Sequence, residues 1–419
     1  MSDNRQPKNP DFLAHLAGIG VSQGHFEELD RYASGKKRIA QVSEYILTDH
    51  PDLLKESGKL DSCGSRLYFH HWNEPGIDLY RLAGGFTCRM HLLCVCCAMR
   101  RSAKLVRAFD EAIRWVLNQN PHYVAVLITK TVLNGESLSE RFTHITSAHR
   151  QLCQWRREAF VKSRRPVLRP TIYRHVKGAA GSYEFKRGGN SGLWHPHMHE
   201  IAILDSRDFD FSSVEEEYSR QQVNEQGHKL VDADGIPLWE TCTKTIWKPL
   251  DFESQLAQEW WMITGDSYIV DVRRLDVQDT TDFLVAVCEA FKYALKVNEL
   301  EFADQIEGYR TLKGRRLVYS YGCLHGVVVP DEAFDTVEDM LLDRPYVEIV
   351  YQYCFKKTKY FHTETHEGDE MLYIRNTQTG QVKLTAKGKR VMCSKHFTPD
   401  QVKDWVEQQQ DNSTFNEEF

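Results

Sequence analysis

The sequence predicts an α+β fold in which a central antiparallel β-sheet carries flanking helices. Three observations predict it. The β-branched run Tyr123 to Val132 reads as a buried strand between two amphipathic stretches. Two more strand-like segments, Gly181 to Phe185 and Leu193 to Leu204, flank the glycine-rich loop Arg187-Gly-Gly-Asn-Ser-Gly192. Helical periodicity recurs around them at Ala103 to Leu117, Leu138 to Lys162, Phe252 to Thr264 and Thr280 to Val297.

Taken in order, residues 1 to 60 read as short helices, clearest from Ile39 to Leu47, where Ile39, Val42 and Ile46 share a face. Residues 60 to 100 carry cysteines and are turn-rich, with Gly64, Pro75-Gly76 and Gly84-Gly85 as punctuation. In the next helix Leu105, Phe109, Ile113 and Val116 form the packing stripe, and Pro121 stops it. Thr171 to Val176 is strand-like, and beyond residue 300 the patterns weaken into mixed strands and an acidic helix near Glu332 to Leu342. Four consecutive segments follow: 1–59 helical, 60–104 cysteine-rich, 105–300 the α+β domain, and 301–419 with no assigned role.

The chain has 419 residues, 41% of them hydrophobic, enough for two or three domains. It opens MSDNRQPKNP, without an export signal, and holds no apolar run of membrane-spanning length. Eleven cysteines without such a signal suggest reduced thiols and a metal, hence a cytoplasmic protein and no membrane partner. The net charge of −6 argues against a nucleic-acid partner, but the charge is segregated. Between Phe86 and Asn190 about 19 Lys and Arg face about 6 Asp and Glu, while the tail beyond Val402 is acidic.

The strongest motif is Leu193-Trp-His-Pro-His-Met-His-Glu-Ile-Ala-Ile-Leu204. Alternation on a strand points His195, His197 and His199 the same way, a poor arrangement for an apolar core and a good one for a divalent cation. If the glycine-rich loop closes a hairpin, Glu184 falls opposite His197 or His199 and completes a site suited to Mg²⁺ or Mn²⁺. The competing reading is a surface histidine cluster without a role.

In Glu289-Ala-Phe-Lys-Tyr293-Ala-Leu-Lys296, helical spacing puts Glu289, Tyr293 and Lys296 on one face. Leu284, Val287, Phe291 and Leu295 supply the packing stripe. A tyrosine oxygen can attack a phosphodiester, leaving a 5′-phosphotyrosine and a free 3′-hydroxyl. A metal on the phosphate and the Lys296 cation would lower that barrier, and Glu289 could serve as general base. The competing reading is an ordinary amphipathic helix.

Cys94 and Cys97 have knuckle spacing, and Cys63 and Cys88 lie upstream at distances suited to a four-thiolate structural Zn²⁺. Cys96 and His91 are alternative ligands, and a set of buried thiols is the plain alternative. Such a site would aim Arg100, Arg101 and Lys104 at DNA phosphates from the start of a helix.

Together these residues resemble the HUH endonucleases, specifically the rolling-circle replication initiators of small plasmids. Leu127-Ile-Thr-Lys-Thr-Val-Leu-Asn134 resembles the family's first motif, and its two metal-ligand positions fall on His197 and His199. The family's nucleophile falls on Tyr293, and Cys94-Val-Cys-Cys97 with its basic run looks like a segment near the start of this subgroup. The resemblance spans about residues 60 to 300. It implies the HUH fold, metal-dependent nicking of single-stranded or hairpin origin DNA, and cooperation with a host helicase and polymerase. Glu289 stands where transposases of this class carry a second tyrosine, which resembles the plasmid subgroup whose glutamate directs water at termination. Lys130 departs from the first motif, where an apolar residue is usual. The alternatives are an HUH transposase or relaxase, and a non-catalytic zinc-containing DNA-binding regulator.

Overall fold

The computed structural model describes residues 22–74, 77–160, 171–188, 191–222, 230, 232, 236–291, 295, 300–327, 347–367, 373–375 and 382–384. It is α+β, with antiparallel sheets and helices. The chain divides into two compact units whose segments interleave, where four consecutive segments were expected. The first unit comprises Met1–Ala17, Arg38–Leu60 and Cys88–Val329, and the second Gly18–Lys37, Asp61–Thr87 and Pro330–Phe419.

Helix α1 (Ser22–Asp49) is one long helix in place of the short helices expected, and α2 (Leu54–Ser62) follows it. In the second unit, β1 (Arg66–Glu74) and β2 (Ile77–Gly85) form a hairpin. Strand β1 also pairs antiparallel with β10 (Val347–Cys354), which pairs with β11 (Lys359–Glu367). The segment read as turn-rich therefore contains two strands, one paired to residues nearly 300 positions away, a pairing no local pattern announces.

The first unit is built on a seven-stranded antiparallel sheet. Its strands are β3 (Tyr123–Thr131), β4 (Gly178–Arg187), β5 (Trp194–Asp205), β6 (Phe211–Gln221), β7 (Trp239–Pro249), β8 (Val270–Arg274) and β9 (Val318–Gly322), in the order β6-β7-β8-β3-β5-β4-β9. Helices α3 (Val95–Gln119) and α6 (Thr280–Ala290) pack on one face. There Leu105, Phe109 and Ile113 meet Ala125, Leu127, Ile201, Ile203 and Val287, and Phe109 stacks on Phe291 at 4.3 Å. Strand alternation turns the intervening residues of β3 and β5 to the other face, which α4 (Leu138–Phe160) and α5 (Phe252–Thr264) serve. There the Trp260 indole N–H donates to the Thr131 carbonyl at 2.6 Å. Helix α7 (Phe302–Leu312) completes the unit and reaches α2 through Tyr309, whose hydroxyl donates to Glu56 at 3.0 Å.

Two local readings are corrected. Thr171 to Val176 is a 3₁₀ turn over Ile172–His175, not a strand. Thr171 Oγ1 accepts from the Tyr173 N–H at 3.1 Å and donates to Glu259 at 2.6 Å, a side-chain cap that outcompetes a ladder. Helix α6 stops at Ala290, and Leu295 forms an isolated parallel bridge to Phe185, so the helix does not run to Val297. The acidic helix expected near 332–342 lies outside the described residues. No helix among the described residues is long and apolar enough to cross a membrane.

Candidate metal centre

The β4–β5 hairpin sets Glu184 directly opposite His197. The Oε2 atom of Glu184 lies 3.0 Å from Nε2 of His197 and 3.4 Å from Nε2 of His199. All three ligand atoms fall within 4.8 Å of one another and all three residues are buried. A carboxylate and two imidazoles packed this closely can hold a metal ion, and burial without one sets a negative charge against two polar rings. Burial lowers the His199 pKa while the Glu184 hydrogen bond opposes it, and the net lowering favours the neutral ring, the form that coordinates.

A second row of side chains surrounds these ligands. Thr129, the cross-strand partner of His199, places Oγ1 2.9 Å from its Nδ1. Glu289, from the last turn of α6, brings Oε1 to 4.0 Å of the same nitrogen, and its Oε2 accepts from Arg273 at 2.8 Å. His195 stands apart from the Glu184–His197–His199 group: its Nδ1 lies 2.6 Å from Asn134 Oδ1. Thr129 and Asn134 both lie in the segment Leu127 to Asn134, which thus reaches the histidines of β5 through bonds that spacing alone did not announce. No local pattern in the sequence marks Arg273, because only the pairing of β8 with β3, which puts it opposite Leu127, brings it here.

The adjacent residue Glu200 faces the other way, into a closed polar pocket. It pairs with Lys130, and both side chains are 0% exposed. Tyr173 donates to Glu200 Oε1 at 2.6 Å and Tyr319 to Oε2 at 3.1 Å. Burial raises the Glu200 pKa, but Lys130 and its other neighbours outweigh that and hold it below the usual carboxylate value. His149 adds a 2.7 Å bond to the Tyr183 hydroxyl. Lys130 thus serves the side of the sheet away from the candidate metal ligands.

Comparisons with protein-family models, with curated proteins and with solved structures find no match.

The sulfurs of Cys63, Cys88, Cys94 and Cys97 also lie within 4.8 Å of one another, a four-thiolate group that can bind a metal ion. Cys94 caps α3, its Sγ accepting from the Cys97 N–H at 3.4 Å, and Cys88 Sγ is 3.6 Å from Cys97 Sγ. Cys96 and His91, the alternative ligands, are not in the group. Arg101 is exposed on α3, and Arg100 and Lys104 are half-buried. Tyr293 and Lys296 lie outside the described residues. The helix leading toward them is anchored: Ser182 Oγ donates to the Ala290 carbonyl at 2.8 Å and Ser102 Oγ to that of Phe291 at 2.7 Å.

Proposed function

We propose that this chain is an HUH-type endonuclease that initiates rolling-circle replication of a plasmid, nicking one strand of the origin through Tyr293. The observation that carries the reading is the convergence of Glu184, His197 and His199 on one face of an antiparallel sheet. Support comes from Glu289, which approaches His199 from the helix that precedes Tyr293 in the chain.

A divalent ion bound there, Mg²⁺ or Mn²⁺, would draw charge from a scissile phosphate. The Tyr293 hydroxyl gives up its proton to solvent, and its oxygen forms a bond to phosphorus as the bond to the 3′ oxygen breaks. That oxygen takes a proton and leaves as the 3′-hydroxyl primer, while the 5′ phosphate stays on the tyrosine. Lys296 steadies the charge on the phenol and phosphate oxygens. At termination Glu289 accepts a proton from water attacking the phosphotyrosine, so hydrolysis replaces a second transfer. The thiolate group would hold a structural Zn²⁺ and set Arg100, Arg101 and Lys104 toward DNA phosphates.

The test is a labelled pool of hairpin-bearing, single-stranded plasmid-origin oligonucleotides, incubated with the protein and Mn²⁺ and run on a denaturing gel. Wild type should yield a protein-linked 3′ fragment and a free 5′ fragment, with both lost in Tyr293→Phe and His197→Ala. DNA that is shifted on a native gel but left uncut in Mg²⁺ and Mn²⁺ would turn the reading to a zinc-containing DNA-binding regulator.

A further inference from the structure

Side chains from three elements meet on the side of the His199 ring away from Glu184. The ring presents Nε2 to Glu184, while Nδ1 faces Thr129 Oγ1 at 2.9 Å and Glu289 Oε1 at 4.0 Å. The other oxygen of Glu289 is held by the Arg273 guanidinium at 2.8 Å. The Arg273 and Glu289 side chains are only 10% and 18% exposed. An arginine rising from β8 opposite Leu127, at the edge of the apolar core, costs desolvation energy that is offset only when its charge is engaged. Among the described residues, Glu289 is its one ion-pair partner.

We propose that Arg273 is a positioning residue of the metal centre. It fixes the Glu289 carboxylate against His199, and the pair sets the orientation and tautomer of that ring. A proton kept on Nδ1 by the Thr129 oxygen and the nearby negative charge leaves the Nε2 lone pair for the cation. The same carboxylate sits one residue before the Ala290 carbonyl that Ser182 anchors, so ring and helix end share one support. The inference rests on the metal-holding reading of Glu184, His197 and His199, and does not require strand cleavage.

The experiment is Mn²⁺ titration of the full chain, with free Mn²⁺ read by electron paramagnetic resonance. Manganese is chosen because oxygen and imidazole ligands suit it and thiolates do not. Arg273→Met and Glu289→Gln should each weaken Mn²⁺ binding about tenfold, the usual scale for residues that orient a ligand. The double variant should bind no more weakly than the worse single variant, and Arg273→Lys should recover most of the loss. Thermal unfolding in the absence of Mn²⁺ is measured alongside. If Arg273→Met does not fold, Glu289→Gln and Arg273→Lys decide the matter.

Affinities within about twofold of wild type, or multiplicative losses in the double variant, would overturn the proposal. Wild type that binds Mn²⁺ but never nicks DNA would end the replication reading and leave this one standing. Wild type that binds no Mn²⁺ would end both.

Discussion

Lys130 and Glu200 form an ion pair with neither side chain exposed to solvent, on the face of the sheet opposite the candidate metal ligands. Tyr173 and Tyr319 supply further hydrogen bonds to the carboxylate. A buried pair of this kind adds little over an apolar pair, but removing one partner strands a charge. Lys130→Met should therefore destabilise the chain by about 3–5 kcal/mol in urea unfolding. Adding Glu200→Gln should recover part of that loss, because no charge is then left alone. A double variant less stable than Lys130→Met would contradict the account.

Acid sensitivity should trace in part to His149. Burial brings its pKa down to about 3, with Glu200 opposing and Lys130 reinforcing the shift. In the unfolded chain the ring takes its proton near pH 6.5. Between pH 6.5 and about 3 the unfolded state binds the extra proton, so stability is intact above that window and falls as the pH drops through it. Down to about pH 5, before the carboxylates titrate, wild type should lose up to about 1.4 kcal/mol per pH unit more than His149→Phe. The slope is the readout, because the Tyr183 hydroxyl loses its partner in the variant whatever the pH. Equal slopes in the two proteins would rule His149 out.

The hairpin that presents Glu184 depends on Gly181. A Cβ there would lie 2.1 Å from the His199 carbonyl oxygen and 2.7 Å from Glu200 Cα, so β4 and β5 would have to part. We expect Gly181→Ala to cost about 1–3 kcal/mol of stability and to weaken Mn²⁺ binding. Unchanged Mn²⁺ affinity would show that the Glu184–His197 register survives the change.

The thiolate group predicts a selective metal inventory. Purified protein should carry one equivalent of zinc at that group, lost in Cys97→Ser and kept in Cys96→Ser, by elemental analysis. Stripping the zinc with a chelator should lower the unfolding temperature of wild type. Zinc retained in Cys97→Ser would move the site to other ligands.

Much of the site was legible because its signals are local. Alternation on β5 put the histidines on one face, and the glycine-rich loop gave a hairpin register that placed Glu184 opposite His197 or His199. The parts that were not legible are long-range. Arg273 reaches the site through the β3–β8 pairing, and Thr129 meets His199 through the β3–β5 pairing, neither set by neighbouring residues. The same holds for β1, whose partner β10 lies far along the chain. The early stop of α6 was hidden because the apolar stripe continues past it: Phe291 and Leu295 are buried, yet Leu295 belongs to a bridge with Phe185. Periodicity reports which residues are buried, and a bridge can bury them as well as a helix can.

Successive residues of β5 answer to different sides of the sheet: His197 and His199 to Glu184, and Glu200, between them and Ile201, to Lys130. The strand is thus two interleaved scripts that share one reading frame. Deleting a single residue within it would swing the imidazoles into the tyrosine-lined pocket and aim the carboxylate at Glu184. Point substitutions can revise either script alone, but a change of length rewrites both together. Over evolutionary time, insertions and deletions in this hairpin are therefore expected to collect in the connection from Gly188 to Leu193 and to spare the strand itself.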